Sequence, residues 1–178
     1  MAATKEKTLN DAFYETLKDV FYAERQSVRA LGKAAKNAKS DQLKQAFEKH
    51  RDESANQVER LNQVFEMLGK AARGKTCEAT QGLQAEMEED LEDFGDSPAG
   101  DAVLIGAAQA LEHYEIARYG TLKTWASQLG MTDAARLLDE TLQEEKRTDE
   151  LLTQIAEQSA NQEAEQGGQA SQRKSTKK

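Results

Sequence analysis

The sequence has a single cysteine, Cys77, and a single proline, Pro98. One thiol can form neither an internal disulfide nor a cysteine-based zinc site, and it suits a reducing compartment. Aromatic residues make up only 6% of the chain. Together with the wealth of Ala, Leu, Gln, Glu and Lys, that scarcity favours helix over sheet. Long apolar runs are lacking too. Nothing approaches the ~18 residues of a membrane span, and Met1 to Asn10 has no apolar stretch of the signal-peptide kind. The chain has no basic surplus: its formal charge is −8, which argues against the phosphate contacts that dominate nucleic-acid affinity. The expectation is a cytoplasmic protein with neither a membrane nor a nucleic acid as partner.

What is present is helical periodicity. Hydrophobic content of 38% is enough when each helix need bury only one stripe. A first helix is predicted from about Leu9 to Asn37. Ser40 and Asp41 offer N-cap oxygens for a second, which runs to about Leu68 before Gly69. Ser97-Pro98 reads as a cap followed by proline at the first helical position of the third, which Gly130 ends. Thr132 caps the fourth, which reaches about Gln158. The short links after Ala38 and Leu129 make two antiparallel hairpins. The longer connection from Gly69 to Asp96 carries a short helix over about Thr76 to Leu91. Such a crossover sets the second and third long helices parallel, so the fold class is all-α, a ferritin-like four-helix bundle over residues 1–158. Residues 159–178 are expected to be a disordered polar tail with a basic end, Arg173-Lys174-Ser175-Thr176-Lys177-Lys178.

Each apolar stripe is broken near its middle by acidic side chains or histidine. The first runs Phe13, Leu17, Phe21, then Glu24, then Val28 and Leu31. The second runs Leu43, Phe47, His50, Ser54, Gln57, Leu61, with Glu53 one turn from His50. The third runs Leu104, Ala108, Glu112, Glu115, Tyr119, Leu122, and the fourth Leu138, Leu142, Glu145, Asp149, Leu152. Glu24 precedes the first hairpin turn by about as many residues as His50 and Glu53 follow it, and Glu115 and Glu145 match around the second. At ~1.5 Å rise per residue these groups share one level. Glu24, Glu53, Glu112, Glu115, Glu145 and His50 should therefore converge inside the bundle.

Without compensation, such crowding is prohibitive. Burying one unpaired carboxylate costs at least several kcal/mol, and neighbours of like charge force protonation. Two divalent cations among hard oxygen ligands remove the conflict, and iron or manganese accepts carboxylate with imidazole. The hairpins are also weakly alike: Leu43 to His50 aligns with Leu138 to Glu145. Glu24 then matches Glu112, and Glu53 falls opposite Thr148, with Glu115 as compensating ligand in a quasi-twofold site. His113 lies about 100° around its helix from Glu112 and is expected in support of the site. Asp149 is a rival to Glu145. Tyr22, Tyr114 and Tyr119 can donate hydrogen bonds there or simply pack, and Trp125 reads as core.

Several segments carry a resemblance in the right order: Tyr22-Ala23-Glu24-Arg25-Gln26, His50-Arg51-Asp52-Glu53-Ser54 followed by Gln57-Val58-Glu59-Arg60-Leu61, and Glu112-His113-Tyr114-Glu115 through Leu122. Lys75-Thr76-Cys77-Glu78-Ala79 and Glu144-Glu145 with Thr148-Asp149 fit as well. Over about residues 8 to 158 the chain resembles the YciE/YciF-type family of bacterial ferritin-like stress proteins. That resemblance implies a ferritin-like fold, a di-iron site like that of rubrerythrins, a homodimer and expression under stress. The departures are His50-x-x-Glu53, where ferritin-like proteins have Glu-x-x-His, and the lack of a histidine on the fourth helix. With only Cys77 available, a reductant must be external. The expected function is oxidation of Fe(II) by peroxide or dioxygen, a peroxidase- or ferroxidase-like activity. The alternatives are manganese-catalase-like dismutation, or a non-enzymatic dimeric stress or interaction protein whose metal is structural or absent.

Overall fold

The computed structural model describes residues 6–175; Arg173 and Lys174 fall within its last helix, whereas Thr176 to Lys178 lie outside the described residues. Six helices follow one another: α1 (Leu9–Asn37), α2 (Asp41–Met67), α3 (Glu78–Phe94), α4 (Gly100–Gln128), α5 (Thr132–Ile155) and α6 (Asn161–Ser175). α1 and α2 form one hairpin and α4 and α5 the other. The hairpins meet where α1 packs on α4 and α2 on α5. α3 lies in the crossover, against α4 and the flank of α1. This is the ferritin-like bundle expected from the sequence, with a short helix in its long crossover.

Local chemistry sets the helix ends. Thr8 and Asp11 form a reciprocal capping box at the start of α1, and the Ser40 hydroxyl accepts from the Leu43 amide at the start of α2. α2 and α4 both end in a Schellman motif. Gly69 and Gly130 take positive φ (64° and 74°), and the next amides, of Lys70 and Met131, reach back to the Phe65 and Ala126 carbonyls. Two caps differ from expectation. α4 begins at Gly100, because Ser97, Pro98 and Ala99 form a preceding turn in which the Ser97 hydroxyl accepts from the Ala99 amide. Thr132 is the first residue of α5 and makes no cap bond.

Parallel placement of α2 and α4 is tied at one end by a buried carboxylate. Asp101, in the first turn of α4, accepts from the amides of Lys39 and Ser40, both at 2.8 Å, in the α1–α2 turn. Asp101→Ala should cost about 1–3 kcal/mol, since two turn amides lose a charged acceptor. Thermal melts check this; an unchanged midpoint would show the tie to be idle.

Helix continues past residue 158. α5 runs into a π-helical turn, Ala156–Ala160, and then into α6. The Ser159 hydroxyl donates to the Ile155 carbonyl, and Ala160 is buried in the core layer with Leu152, Ile155 and Leu104. A wider turn shifts the helix face that meets the core. Gly167 then lies so near Pro98 that a Cβ there would overlap its ring. Composition alone reads this stretch as a tail because its contact residues are Ala and Gly, which carry little hydrophobic signal.

The core falls into two layers, above and below the acidic level. One contains Phe13, Leu17, Phe21, Phe65, Tyr119, Leu122 and Leu138, with Trp125 packed against its edge. The other contains Leu31, Leu43, Phe47, Leu104, Leu111, Leu152 and Ile155. Among the described residues no helix is long and apolar enough to cross a membrane.

Candidate metal centre

Between the two layers, α1 contributes Glu24, α2 His50, α4 Glu112 and Glu115, and α5 Glu145, all buried. Their helical spacing makes them continuations of the stripes, so the fold buries them by the same packing that buries Leu and Phe. Among the described residues, one group of ligand atoms lies within 4.8 Å of one another: those of His50, Glu112 and Glu145. His50 Nε2 stands 3.1 Å from Glu112 Oε1 and 3.5 Å from Glu145 Oε2, without the alignment of a hydrogen bond. Its other nitrogen, Nδ1, is 3.1 Å from the Thr148 hydroxyl. With Nδ1–H donating to Thr148, the Nε2 lone pair faces the two carboxylates, the orientation a metal-binding imidazole needs.

The remaining carboxylates are held individually. Tyr119 donates to Glu24 Oε1 at 2.6 Å and Ser27 to Glu115 Oε1 at 2.7 Å. Gln57 donates to Glu145 Oε1, and more weakly to Glu144 at 3.1 Å. Arg60 in turn holds Glu144 with two bonds of 2.5 and 2.7 Å. One oxygen each of Glu24, Glu112 and Glu145 has no hydrogen-bond partner among the described residues. Orphaned buried carboxylate oxygens are rare in folded proteins and call for a cation or a proton.

Electrostatics point the same way. Burial pushes Glu24 from 4.5 up to about 7, against the Tyr119 hydrogen bond. Burial and then the neighbouring carboxylates push Glu115 and Glu145 well above the ordinary range. Burial lowers His50, but the charge and contact of Glu112, with Glu53 and Glu115, carry it up to about 10. In the metal-free protein an imidazolium and shared protons therefore supply the positive charge that a metal would bring. The donor set, imidazole nitrogen plus hard oxygens, fits a first-row divalent cation.

Of the six expected ligands, three converge, and Glu24 and Glu115 lie buried beside them as electrostatic neighbours. Glu53 sits at the rim. Its side chain is 27% exposed, 3.6 Å from His50 Nδ1 and 3.4 Å from Lys49. Thr148, its expected counterpart in the other hairpin, is buried against His50 instead. His113 is a surface residue, 68% exposed and 3.2 Å from Asp149, which also accepts from Gln109. Neither supports the cluster, contrary to expectation, because each is rotated away from the seam. Tyr119 does bond to the site, whereas Tyr114 pairs with Cys77 Sγ at 2.9 Å on the crossover side. Sequence reading passed over Ser27, Gln57 and Thr148 as site residues. The available signal was polar side chains at stripe positions, a turn or two from the acidic ones.

Comparison with known proteins gives the same placement. Residues 8–165 match the model of a family described as a domain of unknown function, DUF892. Protein YciF of Escherichia coli K12 is 47% identical over 161 residues, covering 89% of this chain and 96% of its own. The crystal structure of that E. coli stress protein superposes with a TM-score of 0.83 at 45% identity, over 88% of this chain and 99% of the other. YcfI of Rhodopseudomonas palustris, described as a putative structural protein, gives 0.81 at 40% identity, over 86% and 98%. Matched by that family model and by these relatives along nearly its whole length, this protein belongs to the YciE/YciF family of ferritin-like stress proteins.

Proposed function

We propose that this is a metal-holding stress protein in which a divalent transition metal, iron first and manganese as the alternative, binds His50, Glu112 and Glu145. A second ion would be taken by Glu24 and Glu115, with Glu53 closing the rim. The observation that carries this reading is the set of orphaned atoms: His50 Nε2 and single oxygens of Glu24, Glu112 and Glu145 are buried with no hydrogen-bond partner among the described residues. The metal's first role is structural, since it replaces protons in a cluster that otherwise repels itself. The homodimer implied by the resemblance and the cytoplasmic setting expected from the sequence belong to the same reading. Titration with Co(II) tests it: visible bands of nitrogen- and oxygen-ligated cobalt should grow to a defined end point and be lost in His50→Ala. Absorbance unaffected by that substitution would refute the assignment.

A redox role is the second reading. It is favoured by one feature, a small cavity that ends on Glu112. Bound iron would supply the two electrons that reduce peroxide to water or dioxygen to peroxide, one from each of two Fe(II) ions, and the protein's own part would be to admit the oxidant and hold the carboxylates. Stopped-flow mixing of Fe(II)-loaded protein with peroxide should then show oxidation faster than that of free Fe(II), stalling without an external reductant. Equal rates would leave only the structural role.

A further inference from the structure

Two cavities on the crossover side share a wall. The outer is a groove of about 180 Å³ between α1 and α3, lined by Gln26, Arg29, Lys33, Gln84 and Glu88, among others. The inner lies between α1 and α4 beneath α3. It offers about 10 Å³ to the centre of a water-sized molecule, room for one such molecule. Ala30 and Met87 line both. Ala30 is a fixed methyl on α1. Met87, nearly buried, is a flexible thioether on the crossover helix and the only one of the two that can move aside.

We propose that Met87 closes a route by which a small uncharged molecule, of the dioxygen or peroxide class, reaches the carboxylate cluster from the groove between α1 and α3. The inference rests on the metal reading for what the molecule meets at the end of the route. Its chemistry follows from the walls. Past Met87 the lining is aliphatic: Leu31, Ala34, Ala108 and Leu111. A hydrated cation would have to shed its water against these side chains with no replacement ligand, whereas dioxygen loses almost nothing and peroxide gives up only neutral hydrogen bonds. The mouth repeats the selection. Arg29 and Lys33 flank it, and Lys33 Nζ bridges to Glu88 Oε1 at 2.8 Å across the groove from α1 to α3. With Lys33 balanced by Glu88, Arg29 leaves the rim one net positive charge, which does not draw in a metal ion. The floor is polar, with Ser27 and Glu112, whose Oε2 is one of the orphaned oxygens. An arriving molecule therefore meets a hydroxyl and a carboxylate of the cluster.

Two measurements test the route. Nitric oxide, a small neutral probe, is mixed with Fe(II)-loaded protein under anaerobic conditions, and its association is followed by absorbance. Met87→Trp should slow association at least tenfold and Met87→Ala should speed it severalfold, with iron content equal in all three by elemental analysis. Association in Met87→Trp within twofold of wild type would overturn the proposal. The second needs no metal: crystals of metal-free Met87→Ala under xenon pressure should show xenon between Ala30 and Leu111. An empty density there would overturn it as well. Should wild type fail to bind iron, the metal reading falls, and the xenon result still decides whether the route exists.

Discussion

Metal-free protein should melt about 5–10 °C lower at pH 8 than at pH 5.5. Glu24, Glu115 and Glu145 all have raised carboxyl values in the folded state, Glu24 from 4.5 to about 7, and His50 is raised to about 10. For every one of them the folded chain binds the proton more tightly than the unfolded chain does. The stabilisation is complete below the unfolded value and is lost as pH rises through the folded one. For Glu24 that window is about pH 4.5 to 7, and His50 extends the decline from about 6.5 towards 10. A raised value is worth about 1.4 kcal/mol per pH unit, and each kcal/mol moves the midpoint of a domain this size by roughly 2–4 °C. Below about pH 4 the slope should reverse, since carboxylates such as Glu53, held low by His50 and Lys49, lose their partners. Adding Mn(II) or Fe(II) at pH 8 should recover the loss and more, by mass action on the folded state. A metal-free midpoint that rises from pH 5.5 to 8 would mean the cluster is compensated by something else.

Glu145→Gln should separate stability from metal binding. In the metal-free protein it removes a buried negative charge while keeping an oxygen to accept from Gln57. The variant should therefore be more stable than wild type at pH 8, by about 1–3 kcal/mol, because it relieves the crowding of Glu145 by Glu112, Glu115 and Glu24. Its metal affinity should fall at least tenfold, because one of the three converging ligands has lost its charge. Glu112→Gln should lose metal affinity alike but gain no stability, since Glu112 is the main charge partner of His50. Glu53→Gln should change both properties less, since Glu53 is partly exposed and already paired with Lys49. Melting curves with and without metal, together with metal content after gel filtration, give both quantities. A variant that is less stable without metal, or as tightly loaded as wild type, would contradict the reading of Glu145.

Much of this was legible in the sequence, for physical reasons that differ by element. α1 and α2 have clear stripes and side-chain caps, Thr8 and Ser40, and their ends are read closely. Gly69 and Gly130 mark C-termini because a left-handed residue is needed there. The start of α4 is misread because Ser-Pro is equally good chemistry for the turn before a helix. The continuation of helix past Gln158 is not read from the sequence, because a π-helical turn has no sequence signature and the docking residues are small. At the site, Glu24, His50, Glu112, Glu115 and Glu145 stand out as charged groups on apolar stripes, which only a shared buried centre explains. Glu53 and His113 carry the same letters, yet a rotation of 60–100° around a helix takes a side chain from the seam to its edge. Hydrogen bonds that cross between helices, such as Tyr119 to Glu24 and Gln57 to Glu145, depend on lateral register, which periodicity along one helix does not encode.

Metal occupancy of the space facing His50 Nε2 separates a metal-compensated cluster from one neutralised by protons. The most direct measurement is a crystal structure of protein purified without chelator, with anomalous diffraction recorded on both sides of the iron and manganese absorption edges. The expected result is an anomalous peak at bonding distance from His50 Nε2 and from one oxygen each of Glu112 and Glu145, disappearing in Glu145→Ala. No peak at either edge, with His50 still in ion-pair contact with Glu112 and Glu145, would show that the cluster is neutralised by protons alone.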